Sequence, residues 1–142
     1  MNTSDTSTVT MLTGDLRCHS AFKGSNATFI TDIPTALGGR GEYPPPSAML
    51  GATLASCMMS MLAYTGKRKG FPTDGISVQA TCREDNTGIC GFDLRISVPM
   101  NPPKNVRALM EAAVRSCPVG NALRPDIPKN ISWVYAGDTL PD

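Results

Sequence analysis

The sequence predicts an α+β fold in which antiparallel sheets pack around one long buried helix. Three observations predict it: a charge-free segment in the middle of the chain, short alternating segments on both sides of it, and a later segment with helical periodicity. With 142 residues, the chain has the length of one domain. We therefore expect a single domain over residues 1–142, with a disordered tail at residues 1–7.

The charge-free segment runs from Ala48 to Thr65 and mixes small residues with leucine and methionine. A segment that is apolar on every side is typical of a helix buried all round. Pro46 suits a first helical turn, and Gly66 followed by three cations resembles a stop signal. The sequence thus predicts a helix from about residue 46 to residue 66, with Cys57 near its middle.

Composition argues against several classes of protein. The central segment is close to the length of a membrane span, but its small and hydroxyl residues and a mean hydropathy of −0.11 favour a protein core. A net charge of +1 without a long basic run gives no reason to expect nucleic acid or membrane partners. The first residues lack the pattern of a signal peptide, so we expect a cytoplasmic protein whose five cysteines are reduced.

The segments around the central helix have strand patterns. Before it, residues 8–12, 16–22 and 27–33 predict two or three antiparallel strands, and a loop rich in glycine and proline follows over residues 34–46. After it, residues 75–82 and 91–98 alternate as a hairpin with one face in the core. Cys82 and Cys90 belong to that face and lack the spacing of a zinc site, so we expect them to be buried and inert and expect no bound metal.

A second helix is predicted after Asn101, which could cap it, and should end near Cys117. Pro118 could then begin a short helical turn with Cys117 at its N-terminus. Backbone N–H groups and the helix dipole at that position would favour the thiolate of Cys117. Residues 131–135 predict a final strand.

Two segments resemble a known family. TDIPTALGGRGEYPPPSAMLGATLASCMMSML (residues 31–62) and VRSCPVGNAL (residues 114–123) are similar to the two cysteine motifs of the OsmC/Ohr hydroperoxide reductases, especially the OsmC-like branch. The resemblance covers about residues 10–136. It implies an intertwined homodimer with a peroxidatic Cys57 and a resolving Cys117. It also implies no bound cofactor, an organic hydroperoxide as substrate and an external dithiol as reductant, for which a lipoyl-bearing protein is the candidate.

A thiol in the middle of an apolar helix needs a cation to react. Cys57 would lie roughly 16 Å from the N-terminus of its helix, beyond the first turn in which the dipole acts. The resemblance implies an arginine from the early strands, and Arg17 matches best, with Arg40 as the second choice. Where many family members have a glutamate that holds this arginine, the chain has Ser47, and Glu42 could substitute for it.

Two functions remain open at this point. The first is a peroxidase that prefers organic hydroperoxides, because the helix near Cys57 carries Leu54, Met58, Met61 and Tyr64. The second is a non-catalytic OsmC-like dimer with a structural or small-molecule-binding role, which the missing glutamate favours. Either protein is expected to be a dimer, because the remaining segments of one chain are too few to cover a helix that is apolar on all sides.

Overall fold

The computed structural model describes residues 6–138 of the chain. Residues 1–5 of the predicted tail lie outside the described residues. The fold is α+β, as predicted, and consists of two three-stranded sheets and a long helix. The chain divides into two compact units, one up to Met49 and one from Leu50 onward. The single domain expected over residues 1–142 stays a prediction.

The first unit contains an antiparallel sheet with the strand order β1-β2-β3. Its strands are β1 (Thr8–Gly14), β2 (Arg17–Phe22) and β3 (Thr28–Thr31). Every residue of β1 is exposed, including Val9, Met11 and Leu12. After β3, a short 3₁₀ turn (Thr35–Leu37) and a glycine- and proline-rich loop lead to the long helix. The prediction of two or three antiparallel strands is thus confirmed, with three strands present.

The long helix, α1, spans Pro46–Lys69 and lies mostly in the second unit. Its buried residues recur at helical spacing: Gly51, Leu54, Ala55, Met58, Leu62 and Gly66. Its other face is exposed and consists mainly of small, hydroxyl and apolar side chains, among them Ala52, Thr53, Ser56, Ser60, Ala63 and Tyr64. The prediction of a helix buried all round is therefore wrong for the single chain, which covers one face only.

The end of α1 also differs from the prediction. The helix continues through Gly66 to Lys69 and is followed by Gly70, which has a φ of 82°. Gly66 serves packing instead of termination: a Cβ there would lie 2.7 Å from Thr73 Cγ2 and 2.8 Å from the carbonyl oxygen of Phe71. A glycine with φ above zero is the usual end of a helix, and here that residue is Gly70.

The second unit contains a sheet with the strand order β4-β5-β6. The strands β4 (Ser77–Asp85) and β5 (Gly88–Val98) form the predicted hairpin. The strand β6 (Lys129–Tyr135) pairs with β5 in parallel, although antiparallel sheets were expected. A parallel neighbour requires a crossover connection, which is formed here by the helices α2 (Lys104–Arg115) and α3 (Pro118–Ala122).

The core of the second unit joins α1 to this sheet and to α2. Leu54, Met58 and Leu62 of α1 share one buried cluster with residues of β5 and α2, namely Phe92, Leu94, Ile96, Met110 and Val114. Among the described residues, α1 alone has the length and composition of a membrane span, but a buried stripe of this kind is also typical of a core helix. The N-cap of α2 is Pro103, so the expectation that Asn101 caps this helix is wrong. The Asn101 side chain instead accepts a hydrogen bond from Arg107.

Candidate functional site

The second unit brings Cys57 and Cys117 together. Cys57 lies in the middle of α1 and is half-buried, and Cys117 is the N-cap of α3 and is 1% exposed. An interaction with the Cys57 side chain contributes to raising the pKa of the Cys117 thiol, so the two side chains are neighbours. The sequence placed the two cysteines on separate helices without a distance between them. The structure therefore adds that the two cysteines are neighbours in the fold.

The surroundings of Cys117 keep it in the thiol form. As predicted, Pro118 begins a short helix, and the backbone N–H of Gly120 donates to the Cys117 sulfur over 3.4 Å. This hydrogen bond favours the thiolate, but burial has the larger effect and raises the pKa of Cys117, and the contact with Cys57 raises it further. The backbone N–H groups at the helix terminus therefore act in the expected direction, but burial outweighs them.

A small pocket adjoins Cys117 and has a volume of about 160 Å³. It is formed by residues of α1, α2, α3 and β6, namely Met58, Val114, Arg115, Cys117, Gly120, Asn121, Lys129 and Ile131. Two cations are among these residues, and none of them is acidic. Cys57 does not line this pocket, so the pocket adjoins only one member of the thiol pair.

The first unit contains a cluster of charged side chains around Arg17. The Arg17 guanidinium donates from Nε and Nη2 to the two carboxylate oxygens of Asp32, over 3.2 and 2.8 Å. Nη2 also donates to Glu42 over 3.1 Å, and Glu42 pairs in addition with Arg40 over 3.0 Å. The ring of Tyr43 lies under the guanidinium, with 4.7 Å between Cζ and the ring centroid. The expected contact between Arg17 and Glu42 is thus present.

Asp32 holds this cluster together, and the sequence analysis did not identify it. Its side chain is completely buried and also accepts the backbone N–H groups of Glu42 and Tyr43, over 2.9 and 3.3 Å. The hydrogen bonds from Arg17 lower the pKa of Asp32 to about 2, and burial opposes them. The same contact raises the pKa of Arg17, so both groups remain charged. A lone acid between Thr31 and Ile33 at a strand end was the signal, because a buried charge requires a partner.

The other cysteines lie outside these two clusters. Cys82 and Cys90 are half-buried instead of buried, on β4 and β5, and the Cys90 thiol donates to the carbonyl oxygen of Arg83 over 3.4 Å. Burial raises the pKa of Cys82, which agrees with an inert thiol. Cys18 is half-buried on β2 and its neighbour His19 is exposed. Within residues 6–138, no group of three or more potential metal ligands occurs.

Solved structures with distant sequences share this fold. A Psychrobacter arcticus protein named for the osmotic stress and detoxification responses is 22% identical, with a TM-score of 0.86 over 93% of this chain and 98% of that chain. An organic hydroperoxide resistance protein from Elizabethkingia anophelis is 22% identical, with a TM-score of 0.75 over 94% and 98% of the two chains. An organic hydroperoxide resistance protein OsmC from Legionella pneumophila is 19% identical, with a TM-score of 0.75 over 94% and 99%.

The sequence itself matches the family described as OsmC-like protein. The match spans residues 39–132, well over half of the chain, and includes Glu42, Cys57 and Cys117, whereas Arg17 and Asp32 precede it. No curated protein matches the chain in sequence. Because the family match covers both cysteine motifs and the similar structures share the whole fold, the chain belongs to the OsmC-like protein family.

Proposed function

We propose that the protein is a thiol peroxidase that reduces organic hydroperoxides with Cys57 and Cys117 as its redox pair. The observation that carries this proposal is that the two cysteines are neighbours, one in the middle of α1 and the other at the N-cap of α3. Family membership and the names of two similar structures, organic hydroperoxide resistance proteins, support it.

The proposed reaction has two chemical steps in the protein. The Cys57 thiolate attacks the terminal oxygen of the hydroperoxide, and the O–O bond breaks. Cys57 becomes a sulfenic acid, and the alkoxide that leaves takes up a proton to form an alcohol. Cys117 then attacks the Cys57 sulfur, water leaves, and a disulfide forms. Because the two cysteines are neighbours in the fold, the second step requires no rearrangement of distant elements. An external dithiol, with a lipoyl-bearing protein as the candidate, returns the pair to the thiol form.

We assign Arg17 as the cation that activates Cys57, with Asp32 and Glu42 as the residues that hold it. Two of its nitrogens, Nε and Nη2, are engaged by the carboxylates, whereas Nη1 donates to no described residue. The two N–H groups on Nη1 are therefore suited to donate to a thiolate or to a peroxide oxygen. Arg40 is the weaker candidate, because its side chain is 54% exposed against 16% for Arg17.

Of the four apolar or aromatic side chains near Cys57 in the sequence, only two can support a preference for organic substrates. Leu54 and Met58 are in the core, so they are not available to a substrate. Met61, one turn after Cys57, is half-buried, and Tyr64 is exposed. An apolar substrate could contact these two side chains in the single chain or in a dimer.

The assembly that we propose is a homodimer in the cytoplasm. The exposed face of α1 and the exposed apolar residues of β1 are the surfaces that a second copy would cover. A reducing compartment suits a chain whose cysteines are free thiols and whose disulfide is a catalytic intermediate.

The test is consumption of an organic hydroperoxide with dihydrolipoamide as the reductant. We expect turnover by the wild type and none by Cys57→Ser. The Cys117→Ser variant should lose activity during the assay, because the sulfenic acid on Cys57 cannot form the disulfide and is oxidised further. Cys18→Ser is the matched control and should retain full turnover. Equal rates for wild type and Cys57→Ser would overturn the proposal in favour of a non-catalytic dimer.

A further inference from the structure

The pocket beside Cys117 has no role in the reaction with hydroperoxide as proposed above. It adjoins the resolving cysteine and not Cys57, and it belongs entirely to the second unit. Its volume of about 160 Å³ accommodates the end of a linear chain and not a folded protein surface. A group that reacts with Cys117 from this side must therefore be small and extended.

The charges of the pocket favour an anion. Arg115 and Lys129 are among its residues, Asn121 adds a neutral polar group, and no acidic residue lines it. The Lys129 ammonium lies 3.4 Å from the carbonyl oxygen of Ile127, which leaves further N–H donors for a ligand. Lys129 and Arg115 would raise the local concentration of a thiolate relative to a neutral or cationic thiol.

Gly120 leaves space between Lys129 and the sulfur. A Cβ on Gly120 would lie 3.8 Å from Cys117 Sγ, 3.9 Å from Lys129 Cδ and 3.4 Å from Leu54 Cδ1. These are ordinary contact distances, so an alanine would fit there and would fill the space. The absence of a side chain at Gly120 therefore keeps the approach from Lys129 to the sulfur open.

We propose that this pocket admits the thiolate of the external dithiol, which attacks Cys117 Sγ in the Cys57–Cys117 disulfide. This inference rests on the proposed function and identifies the sulfur that is attacked and the residues that guide the reductant. The Cys57–Cys117 bond breaks as a bond from the reductant sulfur to Cys117 forms, and its electron pair leaves on Cys57. The second thiolate of the reductant then attacks the first reductant sulfur, Cys117 leaves and takes up a proton, and the reductant departs as a cyclic disulfide.

The leaving groups also favour attack on the Cys117 sulfur over attack on the Cys57 sulfur. Attack on the Cys57 sulfur would expel Cys117 as a thiolate in the first step, and burial, which raises the pKa of Cys117, makes it a poor leaving group. Attack on Cys117 expels Cys57, which is more exposed. In the second step Cys117 is expelled by an intramolecular thiolate, whose high effective concentration offsets this cost.

The test forms the disulfide with diamide, so that it does not depend on peroxidase activity. The oxidised protein is treated briefly with the anionic monothiol 2-mercaptoethanesulfonate, quenched in acid and alkylated, and the adduct is located by peptide mapping. We expect the adduct on Cys117. An adduct on Cys57, or failure of diamide to form the Cys57–Cys117 bond, would overturn the inference. Oxidation of the same protein by a hydroperoxide tests the proposed function separately.

Two variants test the role of the pocket itself. Gly120→Ala should slow reduction of the disulfide by dihydrolipoamide at least about fivefold, and should affect the hydroperoxide step much less. Lys129→Gln should remove most of the preference for 2-mercaptoethanesulfonate over the cationic monothiol cysteamine. Lys104→Gln, a matched change outside the pocket, should keep the wild-type preference. Equal rates of the two monothiols with the wild type, or no effect of Gly120→Ala on reduction, would contradict the inference.

Discussion

At the scale of single residues, the two cysteines of the pair have different environments. Cys117 is 1% exposed, and burial raises its pKa, whereas Cys57 is half-buried. A thiol that is kept protonated and protected is suited to resolve a sulfenic acid, because it does not compete for the peroxide. The partner that reacts first must then obtain its charge stabilisation from a cation, which is the role that we propose for Arg17.

Replacement of Arg17 by alanine should slow the oxidation of Cys57 by an organic hydroperoxide at least about tenfold at pH 7. The loss should shrink above about pH 8.5, where free thiols ionise without help. Arg17→Lys should restore the rate only in part, because an ammonium lacks the planar fork. Stopped-flow rates over a pH series measure this, with Arg40→Ala as the matched control. A profile that changes for Arg40→Ala and not for Arg17→Ala would assign the role to the loop.

Asp32 gives a prediction about stability and pH. Its pKa is about 2 in the folded protein and 3.8 in the unfolded chain, so its contribution to stability is present above pH 3.8 and is lost as the pH falls towards 2. Asp32→Asn should therefore lower the denaturant midpoint at pH 7 and show little further loss between pH 4 and pH 2. Denaturant titrations of the wild type, Asp32→Asn and the exposed control Asp74→Asn measure this. A wild-type midpoint that Asp32→Asn leaves unchanged at pH 7 would contradict the role given to Asp32.

At the scale of elements, α1 contains two glycines, of which one has no space for a side chain and the other has space for a methyl group. A Cβ at Gly66 would come within 2.8 Å of backbone and side-chain atoms, whereas a Cβ at Gly51 would meet Cys82 at 3.7 Å, an ordinary contact. Both residues are buried on the same helix. They therefore form a matched pair that separates helix propensity from packing.

We expect Gly66→Ala to lower the free energy of unfolding by about 1–3 kcal/mol, because the overpacking outweighs a propensity gain of about 1 kcal/mol. Gly51→Ala should leave the stability unchanged or raise it, because alanine fits there and prefers the helix. Equilibrium unfolding in urea gives both values. Equal effects of the two substitutions would show that the close approach at Gly66 is not maintained in solution.

The sequence predicted the elements better than their ends and partners. Strand alternation and the charge-free segment located the sheets and α1, because burial imposes periods that survive in the sequence. Gly66 was misread because a glycine required for close packing resembles a helix stop. The parallel pairing of β6 and the charge pair of Asp32 depend on residues that are distant in sequence. No local pattern records such contacts, so the structure was needed to find them.

At the scale of the whole molecule, the single chain leaves two uncharged surfaces exposed. One is the exposed face of α1, with Ser56, Ser60 and Tyr64, and the other is β1, whose Leu12 is 71% exposed. Exposed surfaces of this kind are typical of protein interfaces. The prediction of a dimer, made from the sequence, remains the explanation that we propose for them.

Light scattering at micromolar concentration should give the mass of two 15.0 kDa chains. Ser60→Arg should shift the protein towards monomer or lower its stability, because it introduces a charge on the exposed face of α1. Glu111→Arg, on the exposed side of α2, should remain dimeric. A wild-type protein with the mass of one chain would contradict the dimer.

If Cys57 and Cys117 form one redox pair, as we propose, a hydroperoxide should convert them to a disulfide. The wild type is treated with one equivalent of cumene hydroperoxide, remaining thiols are blocked, and the non-reduced peptides are identified by mass spectrometry. We expect an intramolecular Cys57–Cys117 bond, with Cys18, Cys82 and Cys90 alkylated as free thiols. A Cys82–Cys90 bond as the only product, or unchanged Cys57, would contradict it.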